Sequence, residues 1–460
     1  MNKIAAIVGL TWKSAFRYRL FWIMAALLAA AVVGLPLLLK TDGTAKGLVQ
    51  ILLTYTLSAV AALLGIATLW LSCGTLAKDV EECQVQMVAV KPIARWQIWL
   101  GKWLGLLSLN AVLLALAGAA IFFLLEWRAA KLPPDQQKIL RDEIFVSRAS
   151  AREAPLDIAP QVDRLMRQRV KDPSKMDPRD LAEIRRQITA ALTSLHTEVP
   201  SGFYRRWGID LHTLQNRLRD QPLLLRIKFH AANANPETQF TTIWVIGPTN
   251  SSSPRVKLEE VTPADSFQEF QVPPNLLDDK GLLWIDVANP NEVALDFPME
   301  EGLELLYPES TFAVNFVRGL AIVFCWLALL ASVGMAAASF LSFPVAAFVS
   351  LALLFVTFSS GTVAAVVEQG TITGYDAAKG GYGHTPADLI FVPIFRGALK
   401  IIKLAQSFSP IDNLSSGRSI TWGQLGQAAA QIVLLMGGFF CLVGILLFTR
   451  RELATAQGNT

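Results

Sequence analysis

Apolar residues in this chain gather into runs of about 20, each bounded by polar stretches. The runs cover Leu20 to Leu39, Val49 to Ser72, Trp103 to Leu125, Phe312 to Ala336, Pro344 to Val367 and Gln427 to Phe448. Each is long enough to cross a hydrocarbon core as helix. The pattern predicts a polytopic α-helical membrane protein with about six transmembrane helices. Residues 20–126 hold the first three, residues 312–367 the next two, and residues 427–460 the last with a tail.

Polar segments carry their own periodicity. In residues 1–19, Ile4, Val8, Trp12 and Phe16 recur every fourth position, with Lys13 and Arg17 on another face. Such a helix lies in the membrane interface with its cations toward anionic lipid head groups, or serves as a basic flank that sets topology. Between the second and third spans the chain reads CGTLAKDVEECQVQMVAVKPIARWQIWLGKWLG. Over residues 74–91, Val80, Cys83, Met87 and Val90 share one helical face while Asp79, Glu82 and Gln86 share another. Lys91-Pro92 ends this amphipathic helix, since Pro lacks the N–H donor and disfavours helix before it. Arg95 and Lys102 are then placed to anchor the re-entry by snorkelling.

Residues 127–311 form a long polar insert, helical to about residue 221 and β-rich beyond it. Asp177-Pro178-Arg179-Asp180 is a helix start, and Leu181, Ile184, Ile188, Leu192 and Leu195 make one apolar stripe after it. From Pro222 short strands such as FTTIWVIG and LLWIDVANP alternate with Pro, Asn, Gly and Ser, the pattern of a small β-sandwich. The fold class is therefore a membrane bundle with an inserted α+β extracytoplasmic domain, helices followed by a sandwich. Charge divides the insert at the same place. Residues 127–230 carry 20 Lys and Arg against 13 Asp and Glu, and residues 231–311 carry 3 against 14. Two surfaces of opposite sign can mate within the domain, between protomers, or with a periplasmic or surface partner. In the loop 368–426, residues 387–404 are apolar but place Arg396, Lys400 and Lys403 on one face. That favours an interfacial or re-entrant helix at the outer leaflet over a seventh crossing.

Positive charge sets orientation. Lys3, Lys13, Arg17 and Arg19 precede the first span, Lys78, Lys91, Arg95 and Lys102 follow the second, and Arg450 and Arg451 follow the last. Both termini are thus expected in the cytoplasm of a cell-membrane protein, although Arg396, Lys400, Lys403 and Arg418 then face outward. Overall 53% of residues are hydrophobic and 17% charged. The chain contains no GxxxxGK[ST], HExxH or GxSxG motif, so no catalytic residue, cofactor or nucleic-acid partner is expected. Cys73, Cys83, Cys325 and Cys441 lie in or beside spans, and His196, His212, His230 and His384 are far apart in sequence, so no metal site is expected. Ionisable residues of the spans, Glu126, Arg318 and Glu368, fall near predicted outer ends, Arg318 as an interface anchor. That placement disfavours an ion-coupled carrier.

Together the second span, the acidic excursion, Lys91-Pro92-Ile93-Ala94-Arg95 and Gly101-Lys102 resemble the permeases of type-2 ABC exporters. The N-terminal amphipathic helix, the polar loop SFSPIDNLSSGRSITW and the closing Phe448-Thr449-Arg450-Arg451-Glu452 fit the same layout. The resemblance covers Met1 to Glu126 and Phe312 to Glu452. It implies an inner-membrane exporter subunit paired with a second permease and driven by a separate P-loop ATPase that holds ATP and Mg. It further implies a gate-side elbow in Met1 to Arg19 and a coupling helix at Lys78 to Val90. The ATPase contacts would be Lys78, Asp79, Glu81, Glu82, Gln86, Pro92 and Arg95. The large insert departs from many family members; the subfamily named for multicopper-enzyme maturation looks closest in layout. The other functional class left open is a force-transmitting or scaffolding membrane protein whose insert engages a partner while nothing crosses the bilayer.

Overall fold

The computed structural model describes residues 3–451 apart from 18, 40–42, 83–92, 155–156, 171–177, 219, 222, 232–237, 250–254, 300, 374, 377–380, 383–384, 386 and 407. The chain opens with α1 (Lys3–Arg17), α2 (Arg19–Leu38), α3 (Ala45–Glu81) and α4 (Arg95–Ala129). The insert contributes α5 (Ala159–Arg169) and α6 (Pro178–Thr197). Its strands are β1 (Val146–Ala151), β2 (Glu198–Val199), β3 (Tyr204–Asp210), β4 (Leu223–Ile227), β5 (His230–Ala231) and β6 (Gln239–Ile246). They continue as β7 (Val256–Pro263), β8 (Gln268–Val272), β9 (Leu282–Ala288), β10 (Leu295–Asp296) and β11 (Leu303–Thr311). After it come α7 (Phe312–Ala338), α8 (Phe343–Phe358), α9 (Ser360–Gln369), α10 (Asp388–Gln406) and α11 (Trp422–Arg450).

Helices α2, α3, α4, α7 and α11 are long and apolar enough to cross a membrane, and α8 with α9 makes a sixth span if the pair is counted as one. This is a multi-pass membrane protein with a helix-and-sheet domain inserted between its third and fourth spans. The fifth apolar run is broken: α8 and α9 meet at an angle of 65°. The break falls at Ser359-Ser360-Gly361, residues of modest helix propensity next to a valine- and phenylalanine-rich stretch. α3 and α4 have 37 and 35 residues. At 1.5 Å per residue each exceeds about 50 Å, well beyond a hydrocarbon core of roughly 30 Å. Their charged ends therefore project out of the membrane as continuous helix, and the residues from Gly74 to Glu81 belong to α3 rather than to a separate helix.

Residues 1–147 and 310–460 form one compact unit, and Arg148–Glu309 forms a second. In the first, α3 is central. Its buried Leu53, Leu57, Val60 and Leu64 share a core with Ile121 and Leu125 of α4 and with Ile322 and Val323 of α7. Small residues let these helices approach. A Cβ on Gly334 of α7 would fall 1.9 Å from Ser72 Oγ and 3.0 Å from Ser72 Cβ, so glycine is what lets α7 pass this close to α3. α1 does not rest only in the interface. Ile7 and Thr11 seat against Gly101 and Gly105 of α4, where a Cβ would lie 2.8 and 2.6 Å from their own. Trp12 Nε1 donates to Ser108 Oγ at 2.8 Å. Lys13 and Arg17 remain exposed on the free side.

α10 is amphipathic. Val392, Leu399 and Ile402 are buried while Arg396, Lys400 and Lys403 are exposed, and Leu389, Ile390 and Ile394 are exposed on its remaining side. It is not among the helices that qualify as spans. The Asp388 carboxylate accepts the N–H of Ile372 at 2.9 Å and of Thr385 at 2.7 Å. These backbone donors hold its pKa below the ordinary carboxylate value.

In the second unit, two four-stranded sheets, ordered β1-β11-β4-β8 and β3-β9-β6-β7, enclose a common core, with a three-stranded β2-β10-β5 beside them. Alternation makes this possible. Along β6, Phe240, Thr242, Trp244 and Ile246 face inward, and along β9 Leu283, Ile285 and Val287 do. Strands begin earlier than the residue-221 boundary read from sequence. β3 is built from YRRWGID, whose Arg205 and Arg206 mask the buried Trp207 and Ile209, and β1 from the apolar-poor VSRASA. α5 and α6 pack through Val162, Ile188 and Leu192. Opposite charges meet inside the domain. Arg152 and Arg226 pair with the fully buried Glu304, Arg148 with Glu269, Arg206 with Asp286, and Lys228 with Glu301. These pairs join the basic half of the insert to its acidic half.

Candidate coupling site at the charged end of the bundle

Where α3 stops and α4 starts, helix ends are cross-linked by polar side chains. α3 presents Lys78, Asp79 and Glu81 because its helix runs on after its apolar stretch ends. Asp79 turns toward α4 and pairs with Lys102, whose Nζ also donates to Thr75 O at 2.6 Å. Glu81 accepts the N–H of Phe343 at 2.8 Å, which places a carboxylate at the positive N-terminus of α8. Lys78 Nζ lies 4.8 Å from the centre of the Phe343 ring.

Arg95, the first residue of α4, donates to Thr449 O and to Arg451 O, each at 2.8 Å. Carbonyls at a helix C-terminus lack intrahelical donors, and a cation there also meets the negative end of the helix dipole. Arg451 in turn reaches Ala338 O and Ser339 O at 3.4 and 3.3 Å, closing the end of α7. Trp99, fully buried, donates Nε1 to Ser339 Oγ at 3.2 Å. A Cβ at Gly444 of α11 would lie 2.9 Å from the Trp99 ring, so glycine admits the indole. The ends of α3, α4, α7, α8 and α11 are thus tied through six side chains: Asp79, Glu81, Arg95, Trp99, Lys102 and Arg451. Glu81 and Arg95, which flank residues 83–92, are both part of this set of ties.

No protein-family model matches the chain, and no curated protein or solved structure matches it either.

Of the residues singled out from sequence, the structure brings Lys78, Asp79, Glu81 and Arg95 to this one end, with Glu82 exposed just past the end of α3. Gln86 and Pro92, with the rest of residues 83–92, lie outside the described residues. Lys102 corrects an expectation. It does not snorkel outward but is buried, since Asp79 and the Thr75 carbonyl lie within its reach. Arg318 also differs from an interface anchor. It is buried, donates to Ile420 O at 2.9 Å and stacks over Trp422 at 4.5 Å. Asn315 beside it bonds both Arg418 O and the Ile420 N–H, so α7 holds the strap that leads into α11. Sequence reasoning passed over Trp99 and Ser339; both read as ordinary residues of an apolar run.

The inserted domain has a cleft lined by Thr193, Thr197, His230, Asp296 and Glu301. Among the described residues no group of three or more His, Cys, Asp or Glu side chains is placed to hold a metal ion. On the sandwich surface burial would raise the Asp286 pKa, but hydrogen bonds from Arg206 and Arg255 outweigh it and the net shift is downward.

Proposed function

We propose that this chain is the membrane-spanning subunit of an ABC exporter, driven by a separate cytoplasmic ATPase that engages the end of α3 and the connection to α4. The observation that supports this most is the cross-linked end of the bundle. It leaves Glu81 and Glu82 exposed, and in this reading a push there is passed to the five tied helix ends. The reading places that end, and both termini, in the cytoplasm, as the Lys and Arg distribution favours. It makes α1, seated on Gly101 and Gly105, an elbow that follows α4. Two copies of the chain, or this chain and a second permease, would form the transport unit.

Purification of the tagged protein in mild detergent tests the proposal. A P-loop ATPase is expected to copurify at near-equal stoichiometry. Replacing Glu82→Lys should weaken that association while leaving the bundle folded, because Glu82 is exposed just past the end of α3. Absence of any ATPase, even after crosslinking at residue 82, would remove the exporter reading.

A second reading is favoured by the independent core of Arg148–Glu309. In it, ATPase strokes act on a partner held by this domain, and no substrate crosses the bilayer. Transport in vesicles that survives removal of the domain would count against that reading.

A further inference from the structure

α10 is tied to the membrane boundary at both its ends. At its start, the Asp388 carboxylate accepts the N–H of Ile372, just beyond the end of α9. Shortly past its own end the chain enters the short helix Pro410–Ser415, whose Leu414 packs where Gly319 leaves room, near the start of α7. With α8 and α9 counted as one span, α9 ends on the side of the bilayer where α7 begins. A helix of 19 residues is about 28 Å long, and with both ends tied to one side it lies along the bilayer instead of crossing it. It packs along α9 and touches α11, with Val392, Leu399 and Ile402 as its buried side.

The exposed surface of α10 is divided in two. At 3.6 residues per turn, Arg396, Lys400 and Lys403 fall within a sector of about 60°, and the exposed Ile390 and Ile394 lie roughly 130° further round. None of the three cations has a carboxylate partner among the described residues. Lys403 stands in the last turn, where the helix dipole favours a cation, but that effect fades within one turn and does not account for Arg396 or Lys400. On a helix lying along the bilayer, this division puts isoleucines at acyl depth and the cations at the level of the phosphates. An acidic protein in the aqueous phase would reach the cations but not the apolar sector. We propose that α10 is a docking site for anionic phospholipid, with Arg396, Lys400 and Lys403 at the phosphates and Ile390 and Ile394 among the acyl chains. It uses no residue of the charged end of the bundle, so it stands or falls apart from the ATPase reading.

The test asks which lipid touches the helix. The full-length protein is reconstituted in phosphatidylcholine nanodiscs carrying a minor fraction of a phospholipid with a photoreactive acyl chain, either phosphatidylglycerol or phosphatidylcholine. Both leaflets hold the probe, so the orientation of the chain does not matter. After irradiation, label on residues 388–406 is measured by peptide mass spectrometry and divided by label on residues 343–358. α8 is the internal reference, because it exposes Phe348 and Phe355 and carries no charge. In about 0.01 M salt the ratio for phosphatidylglycerol should exceed that for phosphatidylcholine by at least about fivefold, on the scale of one cation at an anionic surface. In about 1 M salt, where screening is nearly complete at this distance, the preference should fall toward none. Arg396→Gln, Lys400→Gln and Lys403→Gln together should abolish it, and since all three side chains are exposed the fold should be kept. Equal ratios for the two lipids in the unaltered protein would overturn the proposal without any variant. A preference that survives the triple substitution would overturn it too. So would absence of label in α10 from either lipid, which would take the helix out of the membrane.

Discussion

At the residue scale, the strongest consequences follow from charges taken out of water. Lys102 keeps 9% of its side chain exposed and its partner Asp79 keeps 21%. Removing one member of such a pair strands the other, whereas replacing both is often nearly neutral. Lys102→Met should therefore destabilise the protein by on the order of 2 kcal/mol, below the cost for a fully buried pair because Asp79 keeps some contact with solvent. Asp79→Asn in the same chain should restore most of the loss. The melting midpoint in detergent, followed by intrinsic fluorescence, checks this; a double variant as unstable as Lys102→Met alone would refute the pairing. Asp286 gives a pH-dependent case. Its folded pKa is depressed, so its pairs with Arg206 and Arg255 add stability above the unfolded carboxylate pKa of about 4. That stability is lost as pH falls through the lower folded value. Asp286→Asn should make Arg148–Glu309 more susceptible to pulse proteolysis at neutral pH, and the difference from the unaltered protein should shrink toward zero on acidification below 4. A difference that persisted or grew would show that the ion pairs are not its source. Little of this was legible in the sequence. Lys102 reads as a snorkelling cation because its spacing along α4 carries no information on where Asp79 of α3 will lie.

At the scale of elements, hydrophobic period alone located five of the spans, and it did so because about 20 apolar residues have few alternatives to a membrane helix. It failed where polar residues serve tertiary purposes. β3 hides Trp207 and Ile209 between charged neighbours that pair with Glu153 and Asp286 across the domain, so its alternation is visible only once those partners are placed. The end of α3 looked like an amphipathic helix of its own because Pro92 marks a stop, but no residue between Leu71 and Glu81 breaks the helix. The seating of α1 was also invisible, since glycines at 101 and 105 mean little without a partner. Those glycines now make a prediction. At Gly105 a Cβ would meet Thr11 Cβ at 2.6 Å, and both atoms belong to packed helices. Gly105→Val should lift α1 from α4 and break the bond from Trp12 to Ser108. Hydrogen–deuterium exchange over residues 3–17 should rise by at least about tenfold, with α3 and α7 unaffected, because overpacking of this kind costs roughly 1–3 kcal/mol locally. Unchanged exchange in α1 would mean that the contact does not hold it.

For the whole molecule, the question is whether membrane bundle and inserted domain depend on each other to fold. Each has its own buried cluster, one centred on α3 and α7 and one between the two sheets. The chain leaves the membrane unit and returns to it within a single hydrogen bond: the Phe312 N–H donates to Phe145 O at 3.0 Å, and the two rings stack 5.0 Å apart. A short linker can therefore replace residues 148–309 without stretching either helix, and a brief flexible loop costs less closure entropy than a long one. The shortened chain should remain monodisperse in detergent with its melting midpoint within a few degrees of the full protein, about the shift expected of a change of 1 kcal/mol or less. It should also keep the ATPase association proposed for the α3 end, because none of the six side chains that tie that end lies in the insert. Loss of the bundle's fold would show that the domain is a structural part of it. Retained fold with lost ATPase association would place the contact somewhere other than α3. If fold and association both survive while export activity disappears, the domain acts on substrate or partner after the bundle has moved, which is the outcome that separates its role from the motor's.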